Sequence, residues 1–249
     1  MRALRQLLLV VFFILTCGYS VAANDKVIKL TSLEWPPYTG QALPNQGATA
    51  VVVREAFKAM GYTLVVEFYP WSRAVKMAKE EANYAGYFPE YYSADIAKEF
   101  TFSNSIGVGP LGFAERVNKP ITWTKLDDLS ALTIGTVKDY VNTDEFDKKA
   151  AKKQLKIDET TSDVRNLQKL DGGRIDLAVV DKNVFQYLLN TSPELASAKK
   201  NLRFNSRIME NKDIYICFKK GPEGDRLNKI FNEGLKKINV AAIMAQHMK

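Results

Sequence analysis

Histidine and cysteine are nearly absent from this chain. Its 249 residues hold one histidine, His247, and two cysteines, Cys17 and Cys217. The lone histidine stands close to the C-terminus and is expected at the surface, which takes away the usual acid–base residue and the support for a His-based triad. No GxSxG, HExxH, CxxC or GxxxxGK[ST] spacing occurs, so the hydrolases, metalloproteases, redox proteins and nucleotide binders that those spacings mark find no support. Long apolar runs are missing too. The longest has nine residues, Leu7 to Leu15, against the roughly 20 needed to span a bilayer. Lys and Arg total 35 against 28 Asp and Glu, a formal charge of +7, but they are scattered, with no block of like charge and no 20–50-residue repeat. Nucleic-acid binding, which needs a concentrated basic stripe, is not expected. What remains is an ordinary folded composition, 46% hydrophobic and 25% charged, long enough for one large domain or two lobes.

Arg2 and Arg5 precede the apolar run, and the small residues Ser20, Ala22 and Ala23 follow it. That is the layout of a signal peptide over residues 1–23, cleaved after Ala22 or Ala23. Cys17 allows a second reading, a lipid-attachment site. Bacterial lipoprotein signals carry a small Gly, Ala or Ser before the cysteine, and here Thr16 stands there, which favours simple cleavage. With Cys17 removed, no intramolecular disulfide can form even in an oxidising compartment. Cys217 lies within the apolar run Ile214 to Phe218 and is expected to be a buried, inert thiol.

From Lys26 onward short apolar runs alternate with segments of helical period, the pattern of an α/β chain with parallel strands. Val27 to Leu33 reads as a strand. Val53, Ala56, Phe57 and Met60 follow at helical spacing, and Gly61 stands where a left-handed cap belongs. Leu64 to Phe68 is a strand, Trp71, Ala74, Val75 and Ala78 a helix, and Tyr84 to Phe88 a third strand. After Pro120 the order resumes. A strand from Leu132 to Val137 precedes a helix starting near Asn142, with Phe146, Ala150 and Leu155 on one face. Ser162 can cap the next helix, Gly172-Gly173 can end it, and Ile175 to Val180 is again a strand. Gly109 to Val117 and Asp213 to Phe218 are strand-like and belong to neither unit, so they are candidate crossovers. A C-terminal amphipathic stretch with Leu227, Ile230, Phe231, Leu235 and Ile238 needs a sheet face to cover.

Several motifs, taken in order, resemble the bacterial periplasmic solute-binding proteins of family 3, whose best-known members capture polar amino acids for ABC transporters. They are WPPYTG at Trp35 to Gly40, PWSRA at Pro70 to Ala74, EFTFSNSI at Glu99 to Ile106, LDDLSALTIGT at Leu126 to Thr136, GGRIDLAVVD at Gly172 to Asp181, and a C-terminal NEGLKKI. The likeness covers nearly the whole mature chain. It implies an α/β, two-lobed type II periplasmic-binding-protein fold. Residues 24–112 and 214–249 would form a discontinuous first lobe and 113–213 the second, joined by two crossover strands. It also implies a periplasmic location, monomeric state, a small-molecule ligand, and an ABC-transporter permease or a membrane sensor as partner. Neither a metal nor a cofactor is implied.

Ligands of open α/β sheets sit beyond the carboxyl ends of strands, and four segments meet that condition. After the first strand come Trp35 and Tyr38, whose faces can cover an apolar or cationic ligand; the alternative is a packed turn. After the second come Trp71 and Arg73, where Arg73 could grip a carboxylate with two parallel hydrogen bonds or stand as an exposed ion pair. After the third come Glu90, Tyr91 and Tyr92. The arginine that in amino-acid-binding relatives follows this segment and holds the ligand α-carboxylate is missing: Ile96 stands at its position, Lys98 is the nearest cation, and Arg73 an alternative. After the first strand of the second lobe come Lys138, Asp139 and Tyr140, with Asp139 and Tyr140 in place of a Gly-Thr pair. Asp181 falls where relatives pair the ligand ammonium; its rival role is a helix cap for Lys182 onward.

A buried ligand carboxylate without charge-assisted donors would lose several bonds of about 1.5–3 kcal/mol each. The candidate residues therefore point to a polar ligand that is aromatic, cationic or zwitterionic, and to binding rather than catalysis. Glu90 or Lys138 would be the only proton-transfer candidates of a cleft lyase or dehydratase. The export reading predicts that the protein fractionates with the periplasm and begins at Ala23 or Asn24, as N-terminal sequencing would show. A membrane-bound product with lipid on Cys17 would reverse it.

Overall fold

The computed structural model describes residues 26–248; the leader and Cys17 lie outside the described residues. The chain opens with β1 (Lys26–Ser32), α1 (Ala48–Lys58), β2 (Tyr62–Phe68), α2 (Trp71–Glu80) and β3 (Gly86–Tyr91). β1 pairs in parallel with β2 and with β3. α1 contains the β-branched run Val51–Val53, a poor helix former in isolation. Its burial compensates, since eight of its eleven residues are buried. The turn after it closes through Gly61, whose φ of 76° is in the left-handed region that glycine enters freely.

The short α3 (Ile96–Glu99) and β4 (Phe100–Phe102) lead into the ten-residue β5 (Gly107–Arg116). The second unit is β6 (Thr133–Val137), α4 (Asp144–Ala151), β7 (Lys156–Thr160), α5 (Asp163–Asp171), β8 (Leu177–Asp181) and α6 (Lys182–Thr191). Ser162 caps α5 by accepting from the Arg165 amide, and Gly173, at φ 69°, follows its end. The chain returns through β9 (Leu202–Lys219) and ends with α7 (Pro222–Leu235) and α8 (Val240–His247). Strand order is β2-β1-β3-β9-β5-β8-β6-β7, with β4 also on β9. Parallel trios at the two ends make two lobes, and the antiparallel pair β5 and β9 runs between them.

Several elements differ from the sequence reading. β3 extends to Tyr91 rather than stopping at Phe88, so Glu90 and Tyr91 lie in the strand itself. Pro89 has no N–H to give the ladder, and the register to β9 shifts between Tyr87 and Glu90. β7, KIDET, was not expected from its pattern; it is a charged edge strand with no fully buried residue. α4 ends at Ala151, so Leu155 is buried outside the helix. β9 has 18 residues, and its first half alternates polar residues along β5. The C-terminal stretch breaks in two at Asn239, whose side chain caps α8. His247, expected at the surface, is half-buried. Cys217 is a free, fully buried thiol whose pKa burial pushes well up. Among the described residues no helix is long and apolar enough to cross a membrane.

α7 closes the first lobe by packing on α1, and the approach is tight at Gly234, where an added Cβ would lie 2.1 Å from the Ala56 carbonyl oxygen. Backbone cannot yield there without separating the helices. Gly234→Ala is expected to cost about 1–3 kcal/mol and to lower the melting midpoint by roughly 2–4 °C per kcal/mol, measurable by calorimetry.

Candidate functional site

The loop after β1 folds back on itself. Trp35 and Thr39 exchange backbone hydrogen bonds of 2.8 and 3.1 Å, and the Trp35 and Tyr38 rings stack with centroids 4.5 Å apart. The loop is thus a packed turn that also presents a face. Tyr38 is fully buried while Trp35 lines a pocket between the lobes.

The Tyr38 hydroxyl reaches the second lobe. It donates to the Asp181 carboxyl at 3.2 Å and accepts from Asn183 Nδ2 at 2.7 Å. Tyr91, at the end of β3, donates to Asp181 Oδ2 at 3.2 Å. Asp181 Oδ1 also accepts from the Asn183 and Val184 amides at 2.7 and 3.1 Å, capping α6. Gly109 of β5 makes room for this cluster: an added Cβ would lie 2.3 Å from Asp181 Oδ2 and 2.6 Å from the Tyr91 hydroxyl. Asp181 is therefore the cap that was its rival reading. Both its oxygens are engaged, and it lines neither interlobe pocket.

A second bridge joins the lobes at α2. Trp71 Nε1 donates to the Asp139 carbonyl at 2.8 Å, and the Ser72 hydroxyl donates to the Asp139 carboxylate. Asp139 has φ 62°, a left-handed conformation that a glycine would take without cost. Its side chain meets Ser72 of the opposite lobe, and Asp139 lines neither of the two pockets between the lobes. Tyr140 meets Trp71 edge to face, centroids 5.9 Å apart, and its hydroxyl donates to Asp163 Oδ2 at 3.4 Å.

Between these bridges lies a small inner pocket of about 30 Å³, walled by Trp35, Trp71, Tyr91 and Tyr140 with the Glu90 carboxyl among them. It adjoins a wider groove of about 640 Å³ whose lining includes Glu34, Asp163 and Arg165. Leu33, Trp71 and Tyr140 line both. Burial dominates the electrostatics. It pushes the Glu90 carboxyl up to about 8, against hydrogen bonds from the Tyr91 amide and Tyr87 hydroxyl and the field of Lys212. Asp163 is pushed up to about 7 by burial and by the nearby Asp181 charge. Asp181 rises to about 6, held down by its amide and phenol donors. Burial likewise raises the Tyr38, Tyr91 and Tyr140 phenols. Among the described residues no group of three or more His, Cys, Asp or Glu is placed to hold a metal ion.

The cationic candidates are elsewhere. Arg73 is exposed, its guanidinium 4.9 Å from the Tyr69 ring centroid, and lines neither pocket. Two residues along α2 from the buried Trp71, and so on the opposite side of the helix, it projects from the face that leaves the core. Lys98 pairs with Asp95 at 2.6 Å on the surface. Tyr92 is 50% exposed against Phe102. Lys138 is also exposed. Asp163, Gly109, Asn183 and Arg165 were missed. Asp163 and Arg165 follow the Ser162 cap at the carboxyl end of a strand, and the signal was hidden because β7 has no hydrophobic pattern to announce it.

No family model matches the chain, and no curated protein matches it in sequence. Solved structures do match its fold. A histidine kinase sensor domain with similarity to periplasmic binding proteins aligns with a TM-score of 0.75 at 20% identity, over 90% of this chain and 96% of that one. The periplasmic VFT2 domain of BvgS from Bordetella pertussis aligns at 0.73 and 16%, over 90% and 94%. An amino acid ABC transporter substrate-binding protein from Streptococcus pneumoniae, bound to L-arginine, aligns at 0.70 and 14%, over 90% and 92%. The chain has the two-lobed α/β type II periplasmic-binding-protein fold. These neighbours, at under 25% identity, include both binding proteins and sensor domains.

The raised carboxyls fix a pH dependence. From about pH 4, where the unfolded chain releases these protons, up to the folded values of about 6, 7 and 8, the folded state binds more protons. Stability therefore falls as pH rises through this window, by up to about 1.4 kcal/mol per pH unit for each group. Melting is expected to drop between pH 5 and pH 8, and Glu90→Gln or Asp163→Asn to flatten the upper part of that slope.

Proposed function

We propose that this chain is a periplasmic solute-binding protein, a monomer without catalytic activity. It captures a small polar ligand, amino-acid-like, aromatic or cationic, between lobes of residues 24–112 with 214–249 and 113–213. It closes on the ligand for delivery to an ABC-transporter permease. The observation that carries this reading is the interlobe pocket, where four aromatic side chains surround the buried Glu90 carboxyl. Aromatic faces and carboxylates in a desolvated site favour cations. A ligand touching both lobes stabilises the closed arrangement over the open one, which is the signal a permease would read. The fold shared with a histidine kinase sensor domain supports a second reading, in which the closed form is presented to a membrane receptor.

A true ligand should raise the melting temperature in a saturable way. At 100 times its dissociation constant the stabilisation is about 2.7 kcal/mol, a rise of roughly 5–11 °C for a chain of this size. In a screen of amines, amino acids, dicarboxylates and short peptides, amines or zwitterions should lead and dicarboxylates should give nothing. If no small molecule shifts the protein while a membrane receptor domain binds it ligand-free, the function is that of an interaction module.

A further inference from the structure

Two buried carboxyls face the connected pockets from opposite lobes. Glu90 comes from β3, and Asp163 from the first residue of α5; they are 5% and 6% exposed. Each is held only by neutral donors. Glu90 accepts from the Tyr91 amide at 2.8 Å and the Tyr87 hydroxyl at 3.1 Å, and Asp163 from the Tyr140 hydroxyl. Among the described residues neither makes a salt bridge. Lys212, the cation whose field reaches Glu90, pairs with Glu210 at 3.5 Å and lies over the Tyr91 ring, outside the pocket lining. Of the other buried acids, Asp181 already has four donors and Glu115 is paired with Arg203.

Leu33, Trp71 and Tyr140, which line both pockets, form an apolar and aromatic waist between the two carboxyls. Among the described residues no basic side chain lines the inner pocket. In the outer groove the basic lining residue is Arg165, exposed at the rim. An anionic group on the ligand would meet Glu90 or Asp163 well before it met a partner. Resting on the reading of this cleft as a ligand site, we propose that its ligand is a small aliphatic dication of the α,ω-diamine class, with one ammonium against Glu90, the other against Asp163, and the methylene chain across the waist. Each ammonium would gain a desolvated charge partner and an aromatic face. The raised proton affinity of both carboxyls fits groups that lack a cation.

The test is calorimetry on the mature protein at pH 8 with four probes: 1,4-diaminobutane, 1,5-diaminopentane, butylamine and 4-aminobutanoate. One or both diamines should bind at least tenfold tighter than butylamine, and 4-aminobutanoate more weakly than butylamine. Glu90→Gln and Asp163→Asn, both nearly isosteric, should each bring the diamine to within about threefold of butylamine. The probe series on the unmodified protein decides the matter even if a variant fails to fold. Equal affinity for diamine and monoamine, or tighter binding of 4-aminobutanoate, overturns the dication and leaves the solute-binding reading standing. Binding of an amino acid from the wider screen with none of the four amines bound does the same. Failure of every small molecule removes both.

Discussion

The arrangement of the two lobes depends on the carboxyl of Asp181. One oxygen caps α6 through two backbone amides, and the carboxyl as a whole takes phenols from Tyr38 and Tyr91 on the opposite lobe. A helix cap is worth about 1 kcal/mol and each bond to a charged acceptor about 1.5–3 kcal/mol, against a burial cost that raises the carboxyl to about 6. The geometry tolerates no intruding atom, and Gly109 is the residue of β5 that permits it. Helix, crossover strand and aromatic loop are thus mutually positioned around one side chain.

The pocket is a by-product of that positioning. Once Tyr38 is drawn inward, Trp35 stacks on it and turns its other face toward Tyr91, edge to face at 5.7 Å. On the far side, the Trp71 bond to Asp139 pulls Tyr140 over the space between the lobes. Apolar walls then surround carboxyls that are almost wholly withdrawn from water, and the same desolvation that lifts their proton affinity would strengthen any cation placed beside them. Chemistry and architecture are coupled here because the residues that close the lobes also build the walls.

Much of this was legible in the sequence. Helical spacing marked α1 and α2, Ser162 and Gly173 bracketed α5, and the aromatic loop and Tyr140 could be placed beyond strand ends. What failed did so for physical reasons. β7 escaped because an edge strand need not bury either face, and KIDET has charges where a pattern would need apolar residues. The first half of β9 escaped likewise, since Arg203 pairs with Glu115 of β5 and the buried Asn205 bonds the same carboxyl, polar residues where a pattern would need apolar ones. Arg73 was favoured for its chemistry, but its position on α2 relative to the buried Trp71, Ala74 and Ala78 sends it to solvent. Asp181 carried two readings that composition could not separate, because the capping amides and the opposing phenols arrive from 143 and 90 residues away or from the next turn.

The paired crossovers also act as a mechanical element. Two strands hydrogen-bonded side by side resist sliding past one another, so β5 and β9 leave the lobes little freedom to shear. Their ladder is interrupted between Leu111 and Ala114, where the register slips twice. Bulges bend and twist more readily than regular ladder. The flexure is therefore concentrated in about one residue pair's length of a β9 strand that runs for 18 residues, and the rest serves as a stiff lever. A bend at Gly112 would therefore be felt farthest away, at the ends of the strands, while the ladder on either side keeps its register.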